Sequence, residues 1–277
     1  MTKIEDFIAG RSPAEMYETY LVPGFFKPFA EQMIENAVAG SKYIDVACGT
    51  GIVSRTLAAK LDDNVSIDAL DMAPPMIDVA KQQTVSSVVK YHLTPADALP
   101  FDDALFDGAF CQQGIQFFPA KEKAFEEIFR VLKPGGRFYA AIWLPAKEAN
   151  VVFASFEKAI GRHLGEDLLP LGPFSFGNLE RLRRLATDGG FNIETLESRT
   201  LLTVLPSIRD LVLFDVLFLG RPGADGSLQP VIRPNDPAGD EIVEQMIAEM
   251  TEDLEPYIGD DGRLYTDATT YFLAANK

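Results

Sequence analysis

At 277 residues, 47% hydrophobic and 24% charged, the chain has apolar material for one large α/β domain or one domain with a substantial insertion. Twenty-five basic residues against 41 acidic ones leave a formal charge of −16, a field that keeps the protein in solution and sets nucleic acid and anionic membranes aside as partners. Its two cysteines, Cys48 and Cys111, make no disulfide framework and stand at no metal-ligand spacing, so they read as reduced thiols of a cytoplasmic protein without a metal.

Ser12-Pro13-Ala14-Glu15 has the spacing of a capping box with proline at the first helical position, which predicts a helix starting there. Tyr17, Tyr20, Phe25 and Phe26 follow, broken by Pro23-Gly24. These rings either fold over a ligand or pack on a sheet edge. A second helix is expected over 28–39, with Met33, Ile34, Ala37 and Val38 on one face.

The next stretch is the most informative. An apolar strand over 43–48 carries Asp45 and breaks into Gly49-Thr50-Gly51 ahead of a helix over 53–61, the strand, tight turn and helix of a nucleotide-binding α/β sheet. Ser54 stands where a dinucleotide fingerprint has its third glycine, and a pyrophosphate would meet the Asp45 carboxylate with repulsion. Twenty residues past Gly51, Asp71 closes a strand over 65–70, where an acid accepts the hydroxyls of a ribose. A nucleoside without pyrophosphate, carrying a positive group near Asp45, fits S-adenosylmethionine.

Pro74 and Pro75 open a helix with Met76, Ile77 and Ala80 facing inward, and a third strand over 88–93 delivers Asp97-Ala98-Leu99-Pro100-Phe101. There a carboxylate can accept an exocyclic adenine amine while Leu99 covers the ring; the plain alternative is a surface turn. A fourth strand over 106–111 ends in Gln112-Gln113-Gly114-Ile115-Gln116-Phe117-Phe118-Pro119, at the strand ends where ligands of open sheets lie. Phe125, Ile128, Phe129 and Leu132 recur at helical spacing, and Lys133-Pro134-Gly135-Gly136 is expected to stop that helix and feed a fifth strand over 137–143. Strand and helix thus alternate five times, the pattern of a parallel, doubly wound sheet.

Further on, a helix over 151–164 puts Phe153, Phe156, Ile160 and His163 on one face, followed by an apolar loop over 168–176. Asn178 caps another helix ending at Gly189-Gly190, and 192–205 reads as a long strand. Helices over 207–219 and 237–254 flank a Pro/Gly-rich linker over 221–240, and the last strand covers 269–275. The most apolar run, 208–219, holds Arg209, Asp210 and Asp215 and is too short to span a bilayer; the N-terminus has no apolar signal core, so no membrane insertion is expected. The organisation read from this pattern is an N-terminal helical cap over 1–40, a Rossmann-like core over 41–205, a helical lid insertion over 206–262 and a final core strand within 263–277.

DVACGTG at 45–51, Ala69-Leu70-Asp71, ADALPF at 96–101, CQQGIQFFP at 111–119 and RVLKPGGRF at 130–138 occur in that order. With them the chain resembles the class I S-adenosylmethionine-dependent methyltransferases, in the ubiquinone/menaquinone-biosynthesis-like, type 11 branch, over roughly residues 40–145. The resemblance implies an α/β, Rossmann-like, seven-stranded mostly parallel sheet with helices on both faces, its last strand antiparallel between the fifth and sixth. It also implies that Asp45, Ala47, Gly49 and Gly51 line the methionine end of the cofactor, Asp71 and Met72 the ribose, Asp97 and Ala98 the adenine, and Gln112 the region under the sulfonium.

Methyl transfer needs orientation more than side-chain chemistry. Tyr17 or Tyr20 could add a cation–π contact to the sulfonium. His163 is the candidate general base should the acceptor be a hydroxyl, whereas His92 belongs to the third strand. The expected partner is a small, fairly apolar acceptor, with a homodimer through 208–219 as an option. Two other readings stay open: a rearrangement or cyclisation that uses bound S-adenosylmethionine without transferring methyl, and a non-catalytic binding module.

Overall fold

Period-2 apolar runs alternating with helical stretches resolve, in a computed structural model describing residues 3–38, 40–61, 64–166, 168, 172–222, 228–233 and 236–277, into two sets of elements. The first half of the chain holds α1 (Lys3–Ile8), α2 (Pro13–Tyr20), α3 (Lys27–Met33), β1 (Lys42–Val46), α4 (Ile52–Leu61), β2 (Ser66–Asp71), α5 (Pro74–Gln83), β3 (Val89–Leu93), β4 (Phe106–Gln112), α6 (Lys121–Val131) and β5 (Leu132–Trp143). After these come α7 (Ala146–Ala149), α8 (Val151–His163), α9 (Leu179–Asp188), β6 (Asn192–Leu205), α10 (Ile208–Asp215), β7 (Gly220–Pro222), β8 (Leu228–Pro230), α11 (Pro237–Leu254) and β9 (Leu264–Asn276).

Seven strands form one sheet in the order β3-β2-β1-β4-β5-β9-β6. β1 lies parallel to β2 and to β4, with Asp45 opposite Ala69 on one side and Phe110 on the other. β9 runs antiparallel to β5, from Arg137 opposite Asn276 to Trp143 opposite Thr270, as the family resemblance implies. Sheet order reverses at β1 and β4, so their carboxyl ends open the crevice where such sheets take ligands.

Phe26–Pro145, Phe176–Leu201 and Thr269–Lys277 make one compact unit. Its core is the apolar face of the sheet: Ile67, Phe110 and Tyr139 cluster with Val53, Leu57 and Ala58 of α4 and with Ala30, Met33 and Ile34 beside them. Trp143 is buried against Phe26 and Phe29, with ring centroids 6.1 and 5.3 Å away. Several boundaries differ from expectation, that of β9 among them, which begins at Leu264 rather than at 269. α3 stops at Met33 instead of running to residue 39, because the chain must turn into β1; Tyr43 Oη accepts the Val38 N–H at 2.7 Å and fixes that turn, leaving Val38 exposed rather than inward. Ala39 lies outside the described residues. β5 begins at Leu132, so Lys133-Pro134-Gly135-Gly136 is an irregular first part of the strand, with the register slipping between Phe106 and Gly108. The chain end holds it there: the Gly135 N–H donates to the Lys277 carbonyl and the Lys277 N–H to Gly136.

The other unit is Met1–Phe25, Ala146–Ser175 and Leu202–Ala268. Ser12 and Glu15 close the capping box of α2 as their spacing predicts. Pro23-Gly24 does not break the chain direction but sits in a π-helical turn, Val22–Phe26, in which the Phe25 N–H reaches the Leu21 carbonyl. The short α1 and α7 carry too few residues to show helical periodicity in the sequence. Asn150 caps α8, and its Nδ2 donates to Thr266 Oγ1 and the Asp267 carbonyl, both at 2.9 Å. α10 packs with α1, α2 and α11, and Leu211, Val212, Leu213 and Phe214 are buried. The apolar face set aside for a dimer is therefore used inside the chain. The linker predicted over 221–240 contains the antiparallel pair β7 and β8; its residues 223–227, 234 and 235, with 167 and 169–171 of the loop region near 168–176, lie outside the described residues. Among the described residues no helix is long and apolar enough to cross a membrane.

Gly24 shows how tightly this unit closes, since a Cβ there would stand 2.0 Å from the Val204 carbonyl oxygen. Gly24→Ala should lower stability by about 2–4 kcal/mol in urea unfolding, through forced backbone displacement. A loss within about 0.5 kcal/mol would show that the close approach carries no cost.

Candidate functional site

β1 delivers Asp45 into the sheet centre and then turns sharply, with left-handed backbone at Ala47 (φ 57°), Gly49 (φ 54°) and Gly51 (φ 87°). Gly51 has a steric reason as well, because a Cβ there would lie 2.4 Å from Tyr91 Oη. Gly49 faces open space, with nothing within 4 Å of where its Cβ would be. Asp45 itself is only 1% exposed. Its Oδ2 accepts from the Ser54 N–H at 3.0 Å and from Ser54 Oγ at 2.6 Å, so the third residue of α4 turns its free amide and its hydroxyl back onto the strand. Oδ1 is buried and has no partner among the described residues. Burial pushes this carboxyl up to about 7, the Ser54 bonds pull it back down, and the Asp71 charge adds a smaller upward push.

Asp71, at the end of β2, ties two backbone turns together. Oδ2 accepts the Gly49 N–H and Oδ1 the Ala73 N–H, each at 2.9 Å. The carboxylate thus shapes the glycine turn, and each oxygen keeps a second lone pair. Met72 follows it, 65% exposed. Asp97 and Ala98 lie in the turn after β3, Asp97 half-buried and Ala98 exposed, with the Ala98 carbonyl accepting from Thr94 Oγ1 at 3.3 Å. That segment is pinned from α6: Glu127 accepts the Leu99 N–H at 2.9 Å, and the Arg130 guanidinium donates to the Leu99 and Phe101 carbonyls at 3.0 and 2.7 Å. The Arg130 bond holds the Glu127 carboxyl below its usual range. Neither residue was singled out from sequence; their i,i+3 charge pairing is the signal that could have found them.

Gln112 ends β4, and its Nε2 donates to the Phe26 carbonyl at 2.7 Å, while its Oε1 is buried without a partner among the described residues. The turn beyond it presses on the first loop, since a Cβ on Gly114 would stand 2.5 Å from that of Ala47. Asp45, Ala47, Gly49, Gly51, Asp71, Met72, Asp97, Ala98 and Gln112 all belong to the unit built on the sheet.

Tyr17, Tyr20 and His163 belong to the other unit. Tyr20 stacks on Phe7 at 5.5 Å, its hydroxyl accepts from Arg11 at 2.8 Å, and the same guanidinium lies 5.5 Å from its ring centroid. The ring considered for a sulfonium already carries a cation. Tyr17 is half-buried in α2. His163 Nε2 meets Glu249 Oε2 at 3.1 Å, in a network where Arg162 and Lys158 also approach Glu249. His92 bonds Asp68 on the neighbouring strand at 2.8 Å, the sheet role expected of it. Cys48 and Cys111 are buried free thiols, and burial pushes both well up, which leaves them unreactive.

Acid in the strand, glycine turn, acid at the end of β2 and acid after β3, on this strand order, make the Rossmann-like arrangement of the methyltransferase class. A family model described as a methyltransferase domain matches residues 44–140. The chain is 34% identical over 116 residues to the ubiquinone/menaquinone biosynthesis C-methyltransferase UbiE of Geotalea daltonii, covering 40% of this chain and 49% of that protein. It is 30% identical over 173 residues to a demethylmenaquinone methyltransferase of Staphylococcus epidermidis, covering 57% of this chain and 70% of that protein. Among solved structures, an S-adenosylmethionine-dependent methyltransferase from Aquifex aeolicus superposes with a TM-score of 0.52 at 16% identity, over 67% of this chain and 91% of its own. The [4+2]-cyclase SpnF gives 0.52 at 20% identity, over 88% and 80%. These two likenesses concern the fold alone. The chain belongs to the class I S-adenosylmethionine-dependent methyltransferases, in the ubiquinone/menaquinone-like branch, and spans about half the length of the Geotalea relative.

The cofactor of that family is S-adenosylmethionine, and the residues present fit it. A buried carboxylate oxygen lacking a donor suits an ammonium, and the open face of Gly49 leaves room for the tail beside it. Ser54 is what keeps the Asp45 charge affordable. Because its folded-state value lies above the ordinary one of 3.8, Asp45 costs stability as pH rises from about 4 to 7, and above that the Ser54 bonds serve a full charge. Ser54→Ala should therefore cost about 1–3 kcal/mol at pH 8 and clearly less at pH 5, read by urea unfolding at both. Equal losses at the two pH values would contradict a charged Asp45 held by Ser54.

Proposed function

We propose that the protein transfers a methyl group from S-adenosylmethionine to a ring carbon of a small, largely apolar, quinol-type acceptor. The observation that carries this reading is the buried, unpartnered Asp45 Oδ1 beside the open Gly49 turn, a place for a cationic amino-acid tail. Relatives named for ubiquinone/menaquinone biosynthesis and for demethylmenaquinone support the acceptor class.

When bound, the cofactor supplies the electrophile, a methyl group on a sulfonium; the protein has to hold, orient and dehydrate. Asp45 Oδ1 takes the ammonium, with Ala47, Gly49 and Gly51 giving a backbone wall close enough for the methionine tail. Asp71 offers its remaining lone pairs to the ribose hydroxyls, next to the exposed thioether of Met72. Asp97 and Ala98 receive the adenine on a turn that Glu127 and Arg130 hold still. Gln112, fixed through the Phe26 carbonyl at the end of β4, would border the sulfonium. A quinol ring carbon is nucleophilic without a strong base, so His163, occupied by Glu249, has no part in the step. A net charge of −16 and two free buried thiols support a cytoplasmic enzyme acting on small molecules rather than nucleic acid.

Incubating the pure protein anaerobically with methyl-labelled S-adenosylmethionine and 1,4-naphthohydroquinone tests the reading. The expected result is release of S-adenosylhomocysteine with the label on a ring carbon. Conversion of the acceptor with the label left on the cofactor would favour a non-methylating reaction, and no conversion with no S-adenosylhomocysteine would defeat the assignment.

A further inference from the structure

Gln113 and Gln116 flank the residue at which the β4 turn touches the cofactor loop. Gln113 is 6% exposed and Gln116 7%, and the amide nitrogen and oxygen of both have no partner among the described residues. Buried amides are expensive to leave unpaired, about 1–3 kcal/mol each, so two together on one short turn call for an occupant. Gln113 is held there by force as well as by bonds. Its backbone sits at φ 55°, in the left-handed region a glutamine seldom adopts, while its N–H donates to the Ala141 carbonyl at 2.8 Å. Between them Gly114 approaches Ala47 so closely that a Cβ would stand 2.5 Å from its methyl group. The turn that carries both amides therefore presses on the loop between Asp45 and Gly49, beside the place assigned to the methionine end.

The chemistry of the turn narrows what it can recognise. Residues 112–119 carry no charge, and the next cation, Lys121, donates to the Phe118 carbonyl at 2.7 Å. A carboxylate would find no cation there and an ammonium no anion of the turn. An amide offers both an N–H donor group and an acceptor oxygen, and a hydroxyl answers both. Ile115 and Phe118 are buried beside them and Phe117 is 61% exposed, an apolar frame suited to an aromatic ring.

We propose that Gln113 and Gln116 form a neutral donor-and-acceptor subsite for the hydroxyl groups of the methyl acceptor, making them the specificity-determining residues of this protein. The proposal rests on the methyltransferase reading above and deepens it, since it selects hydroxylated rings over bare or ionised ones.

The test is calorimetric titration of the full chain, saturated with S-adenosylhomocysteine, with 1,4-naphthohydroquinone under anaerobic conditions and with 1,4-dimethylnaphthalene, which has nearly the same shape and no oxygen. The wild-type protein should prefer the diol by roughly tenfold or more. Gln113→Leu and Gln116→Leu should each weaken the diol about tenfold, leave the hydrocarbon and S-adenosylhomocysteine unchanged, and keep or raise the melting temperature. Gln113→Asn, which keeps an amide and tolerates left-handed backbone, should retain the preference. Lack of preference in the wild type, or an undiminished preference in both leucine variants, overturns the proposal. So does a lowered melting temperature with both probes weakened alike, which would make the amides structural. Failure of the wild type to bind S-adenosylhomocysteine at all is a different result, and defeats the methyltransferase reading beneath it.

Discussion

A carboxylate in the middle of a parallel sheet is a costly thing to fold around, and the site depends on how that cost is met. Asp45 lies between β2 and β4, away from water, and no cationic side chain bonds it among the described residues. What it has is the start of α4: a free helical amide and a serine hydroxyl, both from Ser54 and both on one oxygen. The second oxygen is left over. On the proposed reading that imbalance makes the acid a binding group, because the free energy withheld by the fold is recovered when a donor arrives.

The topology puts the remaining groups within reach of that acid. Sheet order reverses at β1, so the carboxyl ends of β1, β2, β3 and β4, with Asp45, Asp71, Asp97 and Gln112 at or near them, rise side by side. Asp71 then does two things at once, shaping the Gly49 turn through its N–H and standing at the end of β2. The Glu127 and Arg130 pair acts from further out, fixing the carbonyls of Leu99 and Phe101 so that the Asp97 turn keeps its position. The close-packed apolar core that includes Ile67, Phe110 and Tyr139 gives the sheet its rigidity.

Much of this was legible in the residues. Alternating strands and helices gave the doubly wound sheet, and Ser12, Asn178 and the glycine loop announced themselves through local chemistry. What escaped was set by contacts between distant parts of the chain. His163 met Glu249, 86 residues away, so its duty could not be read from its own neighbourhood, and Tyr20 met Arg11 and Phe7 only because α1 and α2 fold onto each other. Lys133-Pro134-Gly135-Gly136 follows the end of α6 as expected, but its membership of β5 was hidden because its pairing with Lys277 is not local. Pro23-Gly24 looked like a break because a π-helical turn leaves no periodic signature. Ser54 was visible as a departure from the dinucleotide pattern, but its bond to Asp45 became apparent only in three dimensions.

On the proposed reading Asp45 Oδ1 holds the ammonium of the cofactor. Comparing S-adenosylhomocysteine with its analogue lacking the α-amino group, by calorimetry at pH 8 on the wild type and on Asp45→Asn, measures that contact directly. Losing the amine should weaken binding to the wild type by roughly tenfold or more, and the difference should largely vanish in Asp45→Asn. An equal penalty in both proteins would place the ammonium away from Asp45.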